Sequence, residues 1–330
     1  MRTAPSLAAL ALLGAVTLAG CGDDADAGEA PTWSAADTVL DASGLVWESG
    51  GTVHLGDGTT IETGEEVAGY VVAGDGVYLV AAAGSDATAG PVLHATPEDP
   101  GNPEDTGAVA APDSLRVSPD GRYLAFLDPE TGTQDEYGTP LGTAVVVDLV
   151  EGEEVVRSAA AMGDPGQDDL ADLYEDAGAP EVLGLTDRAA YVAGPGAVLS
   201  YDLATGEPSE VAPSAADAWD DDWFLALGSP EARTSPDGAW TLAQPADGSP
   251  ARLVPADGGD PVVTRAPYDV YELDSWLDDQ TAVGGALDGQ TDVLLGCTLP
   301  TGRCAPLPDV PAGARLPADR SGPRFPTVRP

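Results

Sequence analysis

The chain contains no lysine. Its 330 residues carry 56 acids against 13 bases, every base an arginine, for a formal net charge of −43 at pH 7. Arginine without lysine, beside abundant Ala, Gly, Asp and Pro, reflects GC-rich codon usage and carries no function. The charge itself has consequences. It keeps the protein soluble, repels nucleic acid and anionic headgroups, and favours cationic or neutral partners. Histidine is nearly missing too: only His54 and His94 occur, each inside an apolar strand-like run ("TVHL", "PVLHAT"), which restricts general-base and triad chemistry. There is no His-Glu-x-x-His, Gly-x-Ser-x-Gly, Walker or zinc-finger spacing. Carboxylate pairs such as Asp221/Asp222 and Asp278/Asp279 would suit a glycosidase-like mechanism. Among 56 acids such pairs arise by chance, and no catalytic residue is assigned.

Long hydrophobic runs are absent after the first 20 residues. The opening "MRTAPSLAALALLGAVTLAGC" has one charge, Arg2, then an uncharged, mostly apolar stretch too short for a lasting membrane span. It ends in Leu18-Ala19-Gly20-Cys21, which resembles the bacterial lipobox at all four positions. Small residues there suit signal peptidase II, and a free thiol is needed to accept diacylglycerol. The resemblance implies a signal peptide over 1–20 and lipidation (diacylglycerol, palmitate) at Cys21. The protein would then be held on the extracytoplasmic face of the cell membrane. Residues 21–40, mostly small and polar with one aromatic, Trp33, are expected to form a flexible tether with a root-mean-square span of roughly 25 Å.

Only three cysteines occur. With Cys21 given to lipid, Cys297 and Cys304 remain, in "LLGCTLPTGRCAPL". An apolar run, a Pro-Thr-Gly turn and a return segment form a hairpin that can set the two side chains face to face outside the reducing cytosol. A disulfide is expected.

What the chain has in quantity is turn residues, 41 Gly and 30 Pro, between short apolar runs such as "GYVVAG", "GVYLVAAA", "RYLAFLD", "TAVVVDL" and "VLLGCTL". Each run is a strand's length, and several are apolar almost throughout, as strands buried on both faces are. The best helical stretch is Asp168–Gly178, a loop helix. A hairpin pattern (apolar strand, Gly- or Asp-containing turn, short return) recurs with its turn-entry residue near 54, 93, 147, 201, 254 and 297. Repeats of roughly 40–50 residues made of about four short strands belong to propeller blades.

Two turns echo each other, "RVSPDGRYLAF" from Arg116 and "RTSPDGAWTLA" from Arg233. Pro119 and Pro236 preset the first corner, Asp120 and Asp237 bond back to the local backbone, and Gly121 and Gly238 take the left-handed position. The motif resembles the WD40-like repeats of the TolB family. That resemblance implies an all-β propeller of four-stranded antiparallel blades. Six blades over 41–310 are expected, seven being the alternative if a degenerate blade escapes the count. It also implies a binding or protein-interaction module. A monomer is expected, with an envelope protein or cell-wall component as partner, and the net charge of −43 speaks against nucleic-acid binding. The alternative is an envelope hydrolase or lyase acting on sugar polymers. No cofactor is assigned. The acidic stretches Asp128–Gly138, Asp164–Asp176 and Asp217–Trp223 could gather oxygen ligands for Ca²⁺, although none has EF-hand spacing. Residues 311–330 are Pro-rich, with Arg315, Arg320, Arg324 and Arg329 against one acid, Asp319. This tail is expected to be disordered or to dock on the acidic body.

Overall fold

Tyr123–Asp128 and Thr143–Asp148 are buried at every position, on both faces. A strand can be apolar throughout only if something covers each side of its sheet, and this arrangement recurs along the chain. In the computed structural model the described residues are 30–82, 84, 87–215, 217, 234–243, 249–289 and 291–319. The chain divides into two units, Met1–Ala30 and Pro31–Pro330, and the second holds all the described strands.

Among the described residues these strands form six antiparallel sheets, each an up-and-down meander in chain order. The first comprises β1 (Trp47–Ser49), β2 (Thr52–His54) and β3 (Thr60–Glu62). The second comprises β4 (Val67–Ala73), β5 (Gly76–Ala81), β6 (Gly90–Ala95) and β7 (Glu104–Ala110). The third comprises β8 (Arg116–Val117), β9 (Tyr123–Asp128), β10 (Thr143–Asp148) and β11 (Glu153–Ser158). After helix α1 (Leu170–Ala177) the fourth follows: β12 (Glu181–Leu185), β13 (Ala189–Ala193), β14 (Val198–Asp202) and β15 (Pro208–Ala212). The fifth comprises β16 (Trp240–Ala243), β17 (Arg252–Pro255) and β18 (Val262–Val263). The sixth comprises β19 (Tyr271–Asp278), β20 (Thr281–Asp288), β21 (Thr291–Thr298) and β22 (Arg303–Pro306). Both three-stranded sheets gain a fourth partner by single bridges: Thr234 pairs with Thr241 on β16, and Arg315 pairs with Glu48 on β1. All six hairpins read from the sequence are the last hairpins of these sheets.

Alternation along a strand divides its side chains between two cores. On β9, Leu124 and Phe126 join Val71, Tyr78 and Val80 of the second sheet, while Tyr123, Ala125 and Leu127 join Val182, Val192 and Tyr201 of the fourth. The first and second sheets share Val53, Ile61, Tyr70 and Leu79, and the fifth and sixth share Leu253, Leu273, Trp276 and Leu295. Val283 and Leu294 of the sixth sheet pack with Trp47 of the first, so the two ends of the series meet. Last strands are wetter, as on β22, where only Cys304 is buried, because nothing covers a sheet's outer edge. This all-β series of stacked antiparallel sheets fits a β-propeller.

The N-terminal boundary differs from expectation, and the start of the tail follows its docked alternative. The folded unit starts at Pro31, ten residues before the expected 41. Thr32, Ala36 and Leu40 donate backbone hydrogen bonds to Thr106, Leu149 and Gly74, and Trp33 lies 6.2 Å from Tyr78 and 5.9 Å from Phe126. An indole that can be half-covered by two aromatic rings is a poor member of a flexible tether. At the other end, the start of the tail, Pro311–Asp319, is docked: Gly313 and Ala318 donate to the carbonyls of Asp292 and Tyr70.

Candidate functional site

The two Ser-Pro-Asp-Gly turns have the same hydrogen bonds. Ser118 Oγ donates to Asp120 at 2.6 Å and accepts from the Tyr123 amide at 2.9 Å, and Gly121 N donates to Ser118 O at 2.8 Å. In the second turn Ser235 Oγ donates to Asp237 at 2.6 Å and accepts from the Trp240 amide at 2.9 Å, and Gly238 N donates to Ser235 O at 2.7 Å. Gly121 and Gly238 have φ of 72° and 71°. Each turn links the two members of its sheet's first pairing, β8 to β9 and the Thr234 bridge to β16, so these residues set the sheets' first edges. Pro119 and Pro236 are the first corners. The buried serine is the part that sequence reasoning missed; its signal was the recurrence of Ser beside Pro in both copies.

Where the inner edges and the C-terminal segment meet, a cavity of about 790 Å³ opens. Val67–Tyr70 of β4 form one wall. Tyr271, Glu272 and Asp274 of β19, with Gly285–Leu287 of β20, line the cavity too. Glu48, Asp113, Asp292 and the segment Ala314–Leu316 complete it. Gly69 is required in that wall because a Cβ there would stand 2.0 Å from the Pro112 carbonyl oxygen. Among the described residues, five carboxylates line the cavity against a single guanidinium, that of Arg315. Arg315 is held by its own backbone, exchanging hydrogen bonds with Glu48 (2.9 and 3.0 Å) and accepting one from the Tyr70 hydroxyl (3.0 Å). Its Nε lies 3.9 Å from Glu48 Oε2, and Glu48 Oε1 accepts from the Gly51 amide. A second opening of about 640 Å³ shares Glu48, Val67 and Arg315 with the first and is lined also by Glu62, Glu65 and Glu66. At the rim of the larger cavity, Val270 and Leu287 are 64% and 49% exposed. Apolar side chains beside concentrated carboxylates can hold a group that is both cationic and hydrophobic.

A separate polar cluster lies inside the second sheet. Tyr78 and His94 face each other across β5 and β6, rings stacked at 4.4 Å. Asp75 Oδ1 is 3.1 Å from His94 Nε2, without hydrogen-bond geometry, and Gly76 leaves room for the imidazole, since a Cβ there would meet Nε2 at 2.5 Å. Burial pushes the His94 pKa below its ordinary 6.5, against the opposing pull of Asp75 and Glu104. Burial likewise raises the Tyr78 hydroxyl, whose oxygen has no hydrogen-bond partner among the described residues. His54 is a cross-strand neighbour of Trp47, stacked on it at 3.7 Å. Both histidines are strand residues.

Cys297 and Cys304 sit directly opposite each other on β21 and β22 and are joined by a disulfide. Among the described residues no three His, Cys, Asp or Glu side chains gather as metal ligands. In the first two acidic stretches the carboxylates serve the backbone instead. Asp128 accepts from Glu130 and Thr131, Asp135 accepts from Tyr137, Thr139 and Leu170, and Asp169 caps α1. Helix α1 falls within Asp168–Gly178 and packs Leu170, Leu173 and Tyr174 on the third–fourth core. Asp278 closes the β19–β20 turn by accepting from Gln280. Cys21, Ala218–Trp223 (with the Asp221/Asp222 pair) and Arg320–Pro330 lie outside the described residues.

No protein-family profile and no curated protein matches the chain. Solved structures do resemble it. A putative TolB from Agrobacterium tumefaciens is 14% identical, covering 73% of this chain and 80% of its own, with a TM-score of 0.38. TolB from Acinetobacter baumannii is 14% identical over 83% of this chain and 67% of its own, at 0.36. A Mycobacterium tuberculosis puromycin-hydrolyzing peptidase is 18% identical over 83% of this chain, which spans only 44% of that enzyme, at 0.37. At these identities and scores the likeness is coarse. The propeller-like fold rests on the chain's own sheets and cores.

Proposed function

We propose that the chain is a six-bladed propeller acting as a binding module, tethered by lipid on Cys21 at the outer face of the cytoplasmic membrane. The observation that supports a binding role is the larger cavity, about 790 Å³, with its five carboxylates and exposed apolar rim. That size and a few convergent polar groups are typical of ligand sites. The carboxylates select a cationic or neutral partner of the cell envelope, and the net charge of −43 disfavours nucleic acid and bare anionic lipid. Six blades follow if each sheet is one blade and Trp47 closes the ring against the sixth.

A photo-crosslinking residue at Leu287, expressed in intact cells, tests the reading. The expected outcome is one dominant adduct with an envelope component, lost in a Glu272→Gln/Asp292→Asn variant. New reducing ends released from an envelope glycan by the purified protein would instead replace the binder with a hydrolase or lyase. For the anchor, Cys21→Ala should shift the protein from the membrane to the soluble fraction and abolish fatty-acid labelling. Equal labelling of both forms would overturn it.

A further inference from the structure

We propose that residues Arg320–Pro330 of this same chain occupy the larger cavity and must be displaced by an external partner. The inference rests on reading that cavity as the binding mouth. It starts from where the described chain stops. Ala318 lines the cavity, and its amide is bonded to Tyr70 O, so Arg320 follows two residues from the wall. Eleven residues, "RSGPRFPTVRP", come after Asp319. Extended, they reach about 36 Å.

The chemistry of the segment complements the cavity. It carries Arg320, Arg324 and Arg329 and no acid, in a chain with more than four acids per base. Phe325 and Val328 match the exposed rim of Val270 and Leu287. The first arginine of this basic stretch, Arg315, is already there, its side chain against Glu48. Attachment also supplies concentration: a segment joined by a short link reaches effective concentrations in the millimolar range. A modest intrinsic affinity therefore fills the site. An external cationic partner competes with an internal one, so its apparent affinity falls by the fraction of time the segment is bound.

The test uses purified protein and needs no envelope partner, so its failure is separate from failure of the binding role. A photo-crosslinking phenylalanine analogue replaces Phe325 in the full chain. Intramolecular adducts at Val270–Asp274 or Gly285–Asp292 are expected, reduced at least fivefold in Glu272→Gln/Asp292→Asn and in about 1 M salt, where the screening length is about 3 Å. In parallel, a fluorescent peptide of sequence 320–330 is titrated against the chain ending at Asp319 and against the full chain. Binding at least tenfold tighter to the shortened chain is expected. Equal affinity for the two chains, adducts on the outer strands, or adducts only between two copies would each overturn the proposal.

Discussion

Gly121 and Gly238 occupy equivalent turns with equal φ, yet a side chain would meet different surroundings. A Cβ at Gly121 would lie 2.6 Å from Val39 Cγ1, whereas at Gly238 nothing stands within 4 Å. Left-handed strain costs roughly 1–2 kcal/mol at either position. Gly121→Val should therefore lower the thermal midpoint more than Gly238→Val, because it adds dislodging the 32–40 segment to the strain. Calorimetry of both variants checks this; equal midpoints would mean Val39 yields freely. His94 offers a second test at this scale. Its folded pKa is below 6.5, so the folded state resists protonation that the unfolded chain accepts. Stability should be full above pH 6.5 and decline as pH falls from there towards the lowered folded value. Asp75 and Glu104 face the imidazole and limit the effect, and Tyr78 stays neutral throughout. His94→Phe keeps the stack on Tyr78 and removes the titration. Its melting temperature should change less than the wild type's between pH 7.5 and 5.5, a window above most carboxylate titration.

At the scale of strands and hairpins, the disulfide invites removal. It closes a loop of eight residues, for which the chain-entropy account gives about 2 kcal/mol. The Cys297→Ala/Cys304→Ala variant should lose about that much unfolding free energy, read from a lower denaturant midpoint against non-reduced wild type. These hairpins were legible in the sequence because their signals are local: an apolar run, a Gly or Asp turn, a return. β5, β9, β10 and β14 were legible for the same reason. β19 and β20 were not. In "YELDSWLD" acids alternate with the core residues Leu273 and Trp276, since Glu272 and Asp274 face the cavity. In "TAVGGALD" the glycines look like a turn, but Gly284 is in mid-strand because a Cβ there would stand 1.9 Å from Glu272 O. The site was hidden for that same reason: its residues violate the apolar pattern, and they converge from both ends of the chain. The short bridges at Thr234 and Arg315 gave no periodic signal at all.

Across the molecule, the C-terminal segment is a clasp. Arg315 pairs with the first sheet, Tyr70 of the second receives Ala318 and donates to Arg315, and Arg116 of the third donates to Ala318 O at 3.3 Å. Gly313 ties it to Asp292 of the sixth. Ending the chain at Pro311 should broaden the thermal transition and lower it by more than about 10 °C, because four sheets lose a shared tie. Ending it at Asp319 retains every one of these bonds and should lower the midpoint much less than ending at Pro311 does, by the few degrees that losing the cavity-bound segment costs. Comparable loss in both would place the tie beyond 319.

The pairing of Arg315 with Tyr70 joins residues 245 apart. A ribosome adding roughly 5–20 residues per second needs about 10 to 50 s to travel that distance. During that interval β1 exists with its inner edge unpaired, and the apolar face around Trp47 awaits a partner not yet made. Folding of the body therefore cannot finish before Arg315 is made, however quickly each hairpin forms. The nascent protein is obliged to stay open until Arg315 emerges, and a product terminated before it would carry that raw edge permanently, marked for aggregation or proteolysis.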